Sequence, residues 1–467
     1  MRSGFAKIAG QPGGRPLRLP PARAIRRQTV NLLIRNRIAL MRVLVVGAGA
    51  REHALCWKLR RESGVDDILC APGNAGIGRT VRCAPVEACR PAEVRALVER
   101  ERVDFTVIGP EGPLTAGLAD ELTAAGHRCC GPARDAAAIE SSKAFAKSLM
   151  QRCAVPTARH VTCDAPEAAL DVLRRGMFGY PVVLKADGLA AGKGVVVAPD
   201  ADSARSAVRE MMVDRRFGDA GSHVVIEEFL HGREASFFVL TDGVHARVLP
   251  SAEDHKRAFD GDEGPNTGGM GAFSPSPLIT DAMAGSILEG IVFPTLRGMA
   301  AEGRPYRGFL YCGLMITPDG PMVIEFNARL GDPETQVVLP GLDEDLLPHL
   351  WNAAGEGFTS GVFRTRQGCH VGIVLASGGY PDRFDTGKVI AGLAEAEALP
   401  HTLVFHAGTT VKDDELVTAG GRVLTVVAGG PDFTAARARA YDAASRISFD
   451  KMHYRRDIGK RAVDSSQ

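Results

Sequence analysis

The stretch Pro321–Gln336, PMVIEFNARLGDPETQ, decides how the rest of this 467-residue chain is read. From Met322 to Phe326 the residues run as in a buried strand, where side chains two apart share a face. That alternation predicts Ile324 and Phe326 in the core, with Glu325, Asn327 and Arg329 together on the opposite face. A carboxylate, an amide oxygen and a guanidinium on one surface suit a hard cation beside an anionic group. Mg²⁺ takes oxygen ligands, few from protein and the rest from water and phosphate. The strand gives way to Gly331-Asp332-Pro333-Glu334, a turn with two more carboxylates. A solvated strand end accounts for the same residues, so the choice rests on the surrounding chain.

Charged residues make up 24% and apolar ones 45%, the balance of a globular protein with a buried core. The length predicts about three domains. Ten cysteines stand without a C-x-x-C pair, which argues against a zinc site or a secreted disulfide frame and for reduced thiols in the cytoplasm. No apolar run is long enough for a membrane-spanning helix. Residues 1–40 carry eight Arg and one Lys and no acidic residue; a transit peptide or a nucleic-acid arm has that composition. We expect instead that the fold starts at Met41, which opens directly into the apolar Val43–Val46, with 1–40 a basic extension outside it. Without that segment the chain is net acidic, so the charge balance gives a nucleic-acid partner no support.

From 41 to 140, apolar runs at Val43–Val46 and Phe105–Ile108 alternate with helix-like segments. This predicts a Rossmann-like, doubly wound parallel sheet, whose ligands sit beyond the carboxyl ends of the strands. Gly47-Ala48-Gly49-Ala50-Arg51-Glu52-His53 resembles a dinucleotide loop only in part, since Glu52 occupies the third glycine position. Its glycines still allow close backbone approach to a phosphate, as do those of Gly73-Asn74-Ala75-Gly76. A plain tight turn is the other reading of each loop.

The second region, 141–365, opens with a short amphipathic helix from Lys143 through Phe145 and Leu149. Pro181–Ala198, PVVLKADGLAAGKGVVVA, reads as strand, glycine-rich loop and strand. It is not a P-loop: the spacing to Gly192-Lys193 is one residue short, Gly194 stands for Ser/Thr, and a strand follows where a helix is required. A hairpin of this kind can fold over phosphates through backbone N–H groups and lysine. Val224–Leu230 and Ala235–Leu240 continue an antiparallel pattern. Residues 254–275, DHKRAFDGDEGPNTGGMGAFSP, lack hydrophobic periodicity and predict a functional loop packed by Phe259, Met270 and Phe273. Phe309–Ile316 is expected antiparallel to Met322–Asn327 across Pro318-Asp319-Gly320. From 366 to 467, short strands at Val371–Ala376, Thr402–His406 and Arg422–Ala428 and a helix near Phe433–Ile447 predict a small α+β domain. His370, His401 and His406 read as ordinary polar residues.

The motifs GAGAREHAL, GNAG, KADGLAAGKGV, DHKRAFDGDEGPNTGGMGAFSP and EFNARLGDPETQ together resemble the phosphoribosylamine–glycine ligase family of the ATP-grasp ligases, from Met41 to the end of the chain. The resemblance implies an ATP-grasp fold with a lid at about 160–232 between the two flanking domains, ATP as co-substrate, and Mg²⁺ or Mn²⁺. Lys143 and Lys185 would reach the nucleotide, and the loop through Gly188, Gly192, Lys193 and Gly194 would close over its phosphates. Glu227 and the backbone near Leu230 would meet adenine, Glu234 the ribose, and Glu325 with Asn327 the metal. The strand before carries Cys312-Gly313-Leu314-Met315, with no acidic ligand. Arg329, Asp254 and Lys256 are the candidate catalytic residues; Arg329 would hold the glycine carboxylate and Asp254 or Asp332 its ammonium. Gly47, Gly49, Arg51, Glu52, His53, Gly73, Asn74 and Gly76, with Asn266-Thr267-Gly268-Gly269, would hold the sugar phosphate. A monomer is expected. A different ATP-grasp ligase, a non-catalytic nucleotide-binding regulator and a NAD enzyme are the other readings; the 254–275 motif, the retained Glu325 and Asn327, and Glu52 argue against them in turn.

Overall fold

The structure, a computed structural model, describes residues 41–189 and 194–464. The extension 1–40 and the expected phosphate-loop residues Gly192 and Lys193 lie outside the described residues.

Five parallel strands open the fold: β1 (Met41–Gly47), β2 (Val65–Pro72), β3 (Arg82–Cys83), β4 (Phe105–Ile108) and β5 (Arg128–Cys130), in the order β3-β2-β1-β4-β5. Val43 to Val46 are wholly buried, as a central strand covered on both faces requires. The order reverses between β1 and β4, so a crevice opens beyond their carboxyl ends. Gly47 and the Gly109-Pro110-Glu111 turn form its rim.

The helix Lys143–Arg152 follows. Its N-cap Ser142 accepts from Phe145 N at 3.0 Å and donates to Asp187 at 3.2 Å, while Ala144 N donates to the same carboxylate at 3.1 Å. The helix is thereby tied to an antiparallel sheet of β6 (His160–Cys163), β7 (Val182–Ala186), β8 (Val195–Ala198) and β9 (Val224–Glu228), ordered β6-β9-β7-β8. The expected hairpin is β7–β8.

A second sheet runs β17-β16-β10-β11-β18, from β10 (Arg233–Thr241), β11 (Ala246–Val248), β16 (Gly308–Thr317), β17 (Gly320–Asn327) and β18 (Gly361–Val362). The two strands expected at 224–230 and 235–240 are both present but belong to different sheets. β16 and β17 pair antiparallel across Pro318-Asp319, as expected, with one departure. Glu325 opposes Gly313 while Val323 opposes Leu314, leaving Ile324 as an extra residue on β17. This bulge shifts the alternation: Val323 and Phe326 enter the core, and Ile324, expected there, is only half-buried.

Residues 254–275 are not one loop. They contain β12 (Glu253–Asp254), β13 (Arg257–Phe259), β14 (Glu263–Asn266) and β15 (Gly271–Ser274). Met270 and Phe273 are buried as expected, whereas Phe259 is exposed and lies edge-on to His453. β12 and β15 extend a third sheet, β12-β15-β19-β23-β20, built with β19 (Cys369–Ala376), β20 (Thr402–His406) and β23 (Arg422–Gly430) and backed by the helix Phe433–Arg446. The motif that looked loop-like is thus held by the C-terminal strands. Among the described residues no helix is long and apolar enough to cross a membrane.

Candidate active site

Three buried charges form the floor between the β6-β9-β7-β8 sheet and the second sheet. Lys185 on β7 and Glu227 on β9 share a face, since Val183 opposes Glu227 and Lys185 lies two residues on. Lys147, one turn after Lys143 on its helix, approaches from the other side. Both lysines ion-pair with the Glu227 carboxylate, and each of the three residues is at most 5% exposed. Lys147 also donates to Thr157 Oγ1 at 2.8 Å, and Lys185 to the Ile324 carbonyl at 3.0 Å. The bulge at Ile324 offers that carbonyl, so the irregularity in β17 seats Lys185. Burial pulls the Lys147 ammonium down to about 8 against the Glu227 charge. Burial would raise the Glu227 carboxyl, but Lys185 and Lys147 hold it below its usual value. Glu227, expected to meet adenine, has its carboxylate committed to two ammoniums. Lys147 was missed; the signal was its spacing of four from Lys143, which places both on one helix face.

Lys143 donates to the Gly188 carbonyl at 2.8 Å, and burial, with Lys185 nearby, lowers its affinity for a proton. Gly188 has φ +146°, and a Cβ there would meet Ala220. Gly194 closes the hairpin by accepting from Ala186 N at 2.8 Å. Leu230 lies half-buried in the turn between β9 and β10.

The second charged group is unbalanced. Lys256 Nζ lies 2.7 Å from Glu234 Oε2 and 3.9 Å from Glu325 Oε1. Burial opposes its charge, yet Glu234, Asp254 and Glu325 raise its pKa well above normal. Asp254 is pushed up to about 8, first by burial and then by Glu334, Glu234 and Glu325, with Lys256 opposing. Glu325 itself stays below the usual carboxylate range despite burial, because Lys256, Lys185, Lys143 and Arg329 all act on it. Gly313 leaves room for it: a Cβ there would stand 3.1 Å from Glu325 Cγ. Among the described residues no three His, Cys, Asp or Glu side chains gather at metal-ligand spacing. A surplus of carboxylate around one lysine, with oxygen donors from Glu325 and Asn327, fits a hard divalent cation that takes its remaining ligands from phosphate and water.

Arg329 turns away from this group into the β1/β4 crevice. It pairs with Glu111 at 3.0 Å and Glu140 at 2.8 Å and donates to the Leu330 carbonyl at 3.2 Å. Burial opposes but Arg329 and Arg51 hold the Glu111 carboxyl down at about 2, whereas burial raises that of Glu140. Arg329 is thus neutralised by two protein carboxylates. Beside it, Arg51 pairs with Glu52 at 2.6 Å, and Glu52 accepts from Gly49 N at 2.6 Å. Gly47 of the first loop and Gly109 after β4 make room for Glu52: a Cβ on Gly47 (φ +130°) or Gly109 would collide with its side chain. The N–H that would receive a pyrophosphate in a dinucleotide fold is taken by a carboxylate.

A cleft of about 410 Å³ lies over that loop. Of the residues expected to bind substrate, Gly49, Gly73, Asn74 and Asp332 line it, joined by Tyr380, Gly408, Thr409 and Arg422, which sequence reasoning missed. Asn74 donates to the Ala48 and His406 carbonyls at 2.8 and 2.7 Å and accepts from Ile77 N at 2.9 Å. Gly76 packs against the His406 ring. His53 accepts from His406 N at 2.9 Å, and burial, followed by His406 and Arg79, pushes it down to about 3. Gly76 and His53 therefore join the first sheet to β20. Asp332 Oδ2 pairs with Arg422 at 3.0 Å and its Oδ1 accepts from Gln336 at 2.7 Å. Thr267 Oγ1 donates to the Lys256 carbonyl at 2.8 Å and accepts from Gly269 N at 2.9 Å, and Asn266 pairs with Arg257 across β13–β14.

Comparison with known proteins meets this geometry. The phosphoribosylglycinamide synthetase family matches in three consecutive parts: its N domain at 41–140, its ATP-grasp (A) domain at 141–335 and its C domain at 370–461. A phosphoribosylamine–glycine ligase of Ralstonia nicotianae is 48% identical over 425 residues, covering 91% of this chain and 100% of the relative. The enzyme of that name from Escherichia coli O6:H1 is 47% identical over 433 residues, at 91% and 100% coverage. The crystal structure of phosphoribosylamine–glycine ligase from Thermotoga maritima superimposes with a TM-score of 0.78 at 34% identity, covering 89% of this chain and 99% of that one. A biotin carboxylase domain from Hydrogenobacter thermophilus, solved with MgADP, shares the fold at a TM-score of 0.67 and 16% identity, over 89% and 91% of the two chains. The three domain matches and the full-length relatives agree with the sheet architecture, and the chain belongs to the phosphoribosylamine–glycine ligase family.

Proposed function

We propose that the chain joins glycine to 5-phosphoribosylamine with cleavage of ATP to ADP and phosphate, through a glycyl phosphate. The observation that carries the site assignment is the carboxylate surplus around Lys256, whose Nζ lies 2.7 Å from Glu234 Oε2 and 3.9 Å from Glu325 Oε1. A carboxylate does not yield to an amine directly, because oxide is its leaving group. Phosphorylation of the glycine carboxylate by ATP replaces oxide with phosphate. Such transfer between anions depends on positioning and cationic charge rather than on a protein nucleophile.

In this reading Lys185, fixed by Glu227 and the Ile324 carbonyl, and Lys143, beside Gly188, hold the nucleotide phosphates. The β7–β8 hairpin covers them and keeps water from the acyl phosphate. Glu234 takes the ribose hydroxyls and the turn near Leu230 the adenine. Glu325 and Asn327 would hold Mg²⁺ or Mn²⁺, which when bound offsets charge on the phosphate oxygens. Asp332 has both oxygens serving Arg422 and Gln336, which leaves Asp254 for the glycine ammonium, whose charge would favour the ionised form of that raised carboxyl. Arg329, locked by Glu111 and Glu140, fixes the strand end against the first sheet instead of clamping the glycine carboxylate. The amine of phosphoribosylamine, seated in the cleft over Gly49 and Gly73, attacks the acyl carbon. Phosphate departs with one former glycine oxygen, and the amine proton passes to solvent. ADP release measured with glycine and phosphoribosylamine each omitted in turn tests this: both omissions should abolish release. Release that persists without either one would contradict the assignment.

A further inference from the structure

The cleft is closed on one side by the C-terminal sheet, and one residue there ties three of its walls. Arg422 opens β23. Its backbone carbonyl accepts from Gly408 N at 3.0 Å. Its Nη1 donates to the Gly268 carbonyl at 2.6 Å and the Asp332 carbonyl at 2.7 Å, and its Nη2 pairs with Asp332 Oδ2 at 3.0 Å. Tyr380 reinforces the same point, its hydroxyl accepting from Gly268 N at 3.0 Å. The partners are adapted to it. Gly269, next in the turn, has φ +110° and lies so close to Pro333 that a Cβ would collide, and a Cβ on Gly268 would stand 3.1 Å from Arg422 Cζ. Arg422 is mostly shielded yet lines the cleft. A planar fork filling several acceptors at once fixes their relative placement in a way a point charge cannot.

We propose that Arg422 is a positioning residue for the amine substrate: by holding the Gly268-Gly269 turn and Asp332 against the Gly408 loop, it sets the shape of the cleft that receives phosphoribosylamine. The assignment rests on the proposed use of that cleft. The C-terminal domain is then part of the site and not an appendage.

The test is steady-state ADP release by the wild type, Arg422→Lys and Arg422→Ala, with phosphoribosylamine and ATP varied separately and thermal unfolding recorded alongside. Loss of three charge-assisted contacts is expected to raise the KM for phosphoribosylamine about ten-fold or more in Arg422→Ala. The KM for ATP should stay within about two-fold, since the nucleotide site is built by other strands. Arg422→Lys, which keeps the charge but not the fork, should recover only part of the loss. An unchanged KM for phosphoribosylamine in a folded Arg422→Ala protein would overturn the proposal, as would equal rises for both substrates or full rescue by lysine. If the wild type itself releases ADP without phosphoribosylamine, it is the functional reading that fails; binding of ribose 5-phosphate as a stable probe, weakened in Arg422→Ala or not, still decides the role of Arg422 in shaping the cleft.

Discussion

Two charged clusters face each other across β17, and they are built on opposite principles. Around Glu227, one carboxylate meets two ammoniums at full burial, with Thr157 and the Ile324 carbonyl taking further lysine protons. Around Lys256, one ammonium faces Glu234 and Glu325 with Asp254 and Glu334 close behind, and Asp254 is driven up to about 8. The first cluster is closed and resembles a structural ion network. The second carries unspent negative charge, and it sits where the proposed chemistry delivers a cation. The difference separates a cluster that, Lys185 apart, holds the site from one whose residues are placed to meet its ligands.

The comparison breaks most sharply at Glu227. Glu227→Leu would leave Lys147 and Lys185 buried without their carboxylate, and removing one partner of a buried ion pair costs on the order of 3–5 kcal/mol. Chemical denaturation should show a loss of that size; a change below about 1 kcal/mol, the worth of an exposed pair, would mean that the cluster is solvated. Glu325→Gln should do the reverse. It relieves part of the carboxylate surplus, so stability should hold, while kcat should fall about 100-fold because a charge aimed at the phosphates is gone. Near-normal turnover would remove Glu325 from the catalytic centre.

Asp254 gives the cleanest sign. Its carboxyl is raised in the folded state from 3.8 to about 8. The folded protein therefore binds more protons than the unfolded chain across that window, and the stability Asp254 contributes is lost as pH rises through about 8. Asn mimics the protonated acid. The melting temperature of Asp254→Asn relative to wild type, both without metal, should climb between about pH 5 and pH 8. A constant difference would place Asp254 in an ordinary solvated setting.

Much of this was legible in the amino-acid order. β1, β4, the β7–β8 hairpin, β16–β17 and the three C-terminal strands follow from apolar runs and their turns, because local pattern and burial agree there. Ile324 was misplaced because a bulge adds one residue and period two carries no sign of it. The strands within 254–275 escaped notice because β13 and β14 pair only with each other, β15 pairs with β19 about a hundred residues further on, and their composition is dominated by turn formers. Glu325, Asn327 and the lysines stand in motifs with a chemical reason for each residue type. Tyr380 and Arg422 stand in none and are brought to the site by tertiary packing alone, while Lys147 is marked only by its spacing of four from Lys143. Gly47 and Gly49 showed the opposite limit, since the need for glycine was visible but its cause, the Glu52 side chain, was not.

The route of one oxygen atom tests the central claim most directly. If glycine is activated as an acyl phosphate, one carboxylate oxygen must leave inside inorganic phosphate when the amine attacks. A single turnover with glycine carrying heavy oxygen in its carboxylate, followed by mass analysis of the products, should give one labelled oxygen in each phosphate released and none in the nucleotide. Label in AMP would point to an adenylate, and phosphate without label would contradict the mechanism.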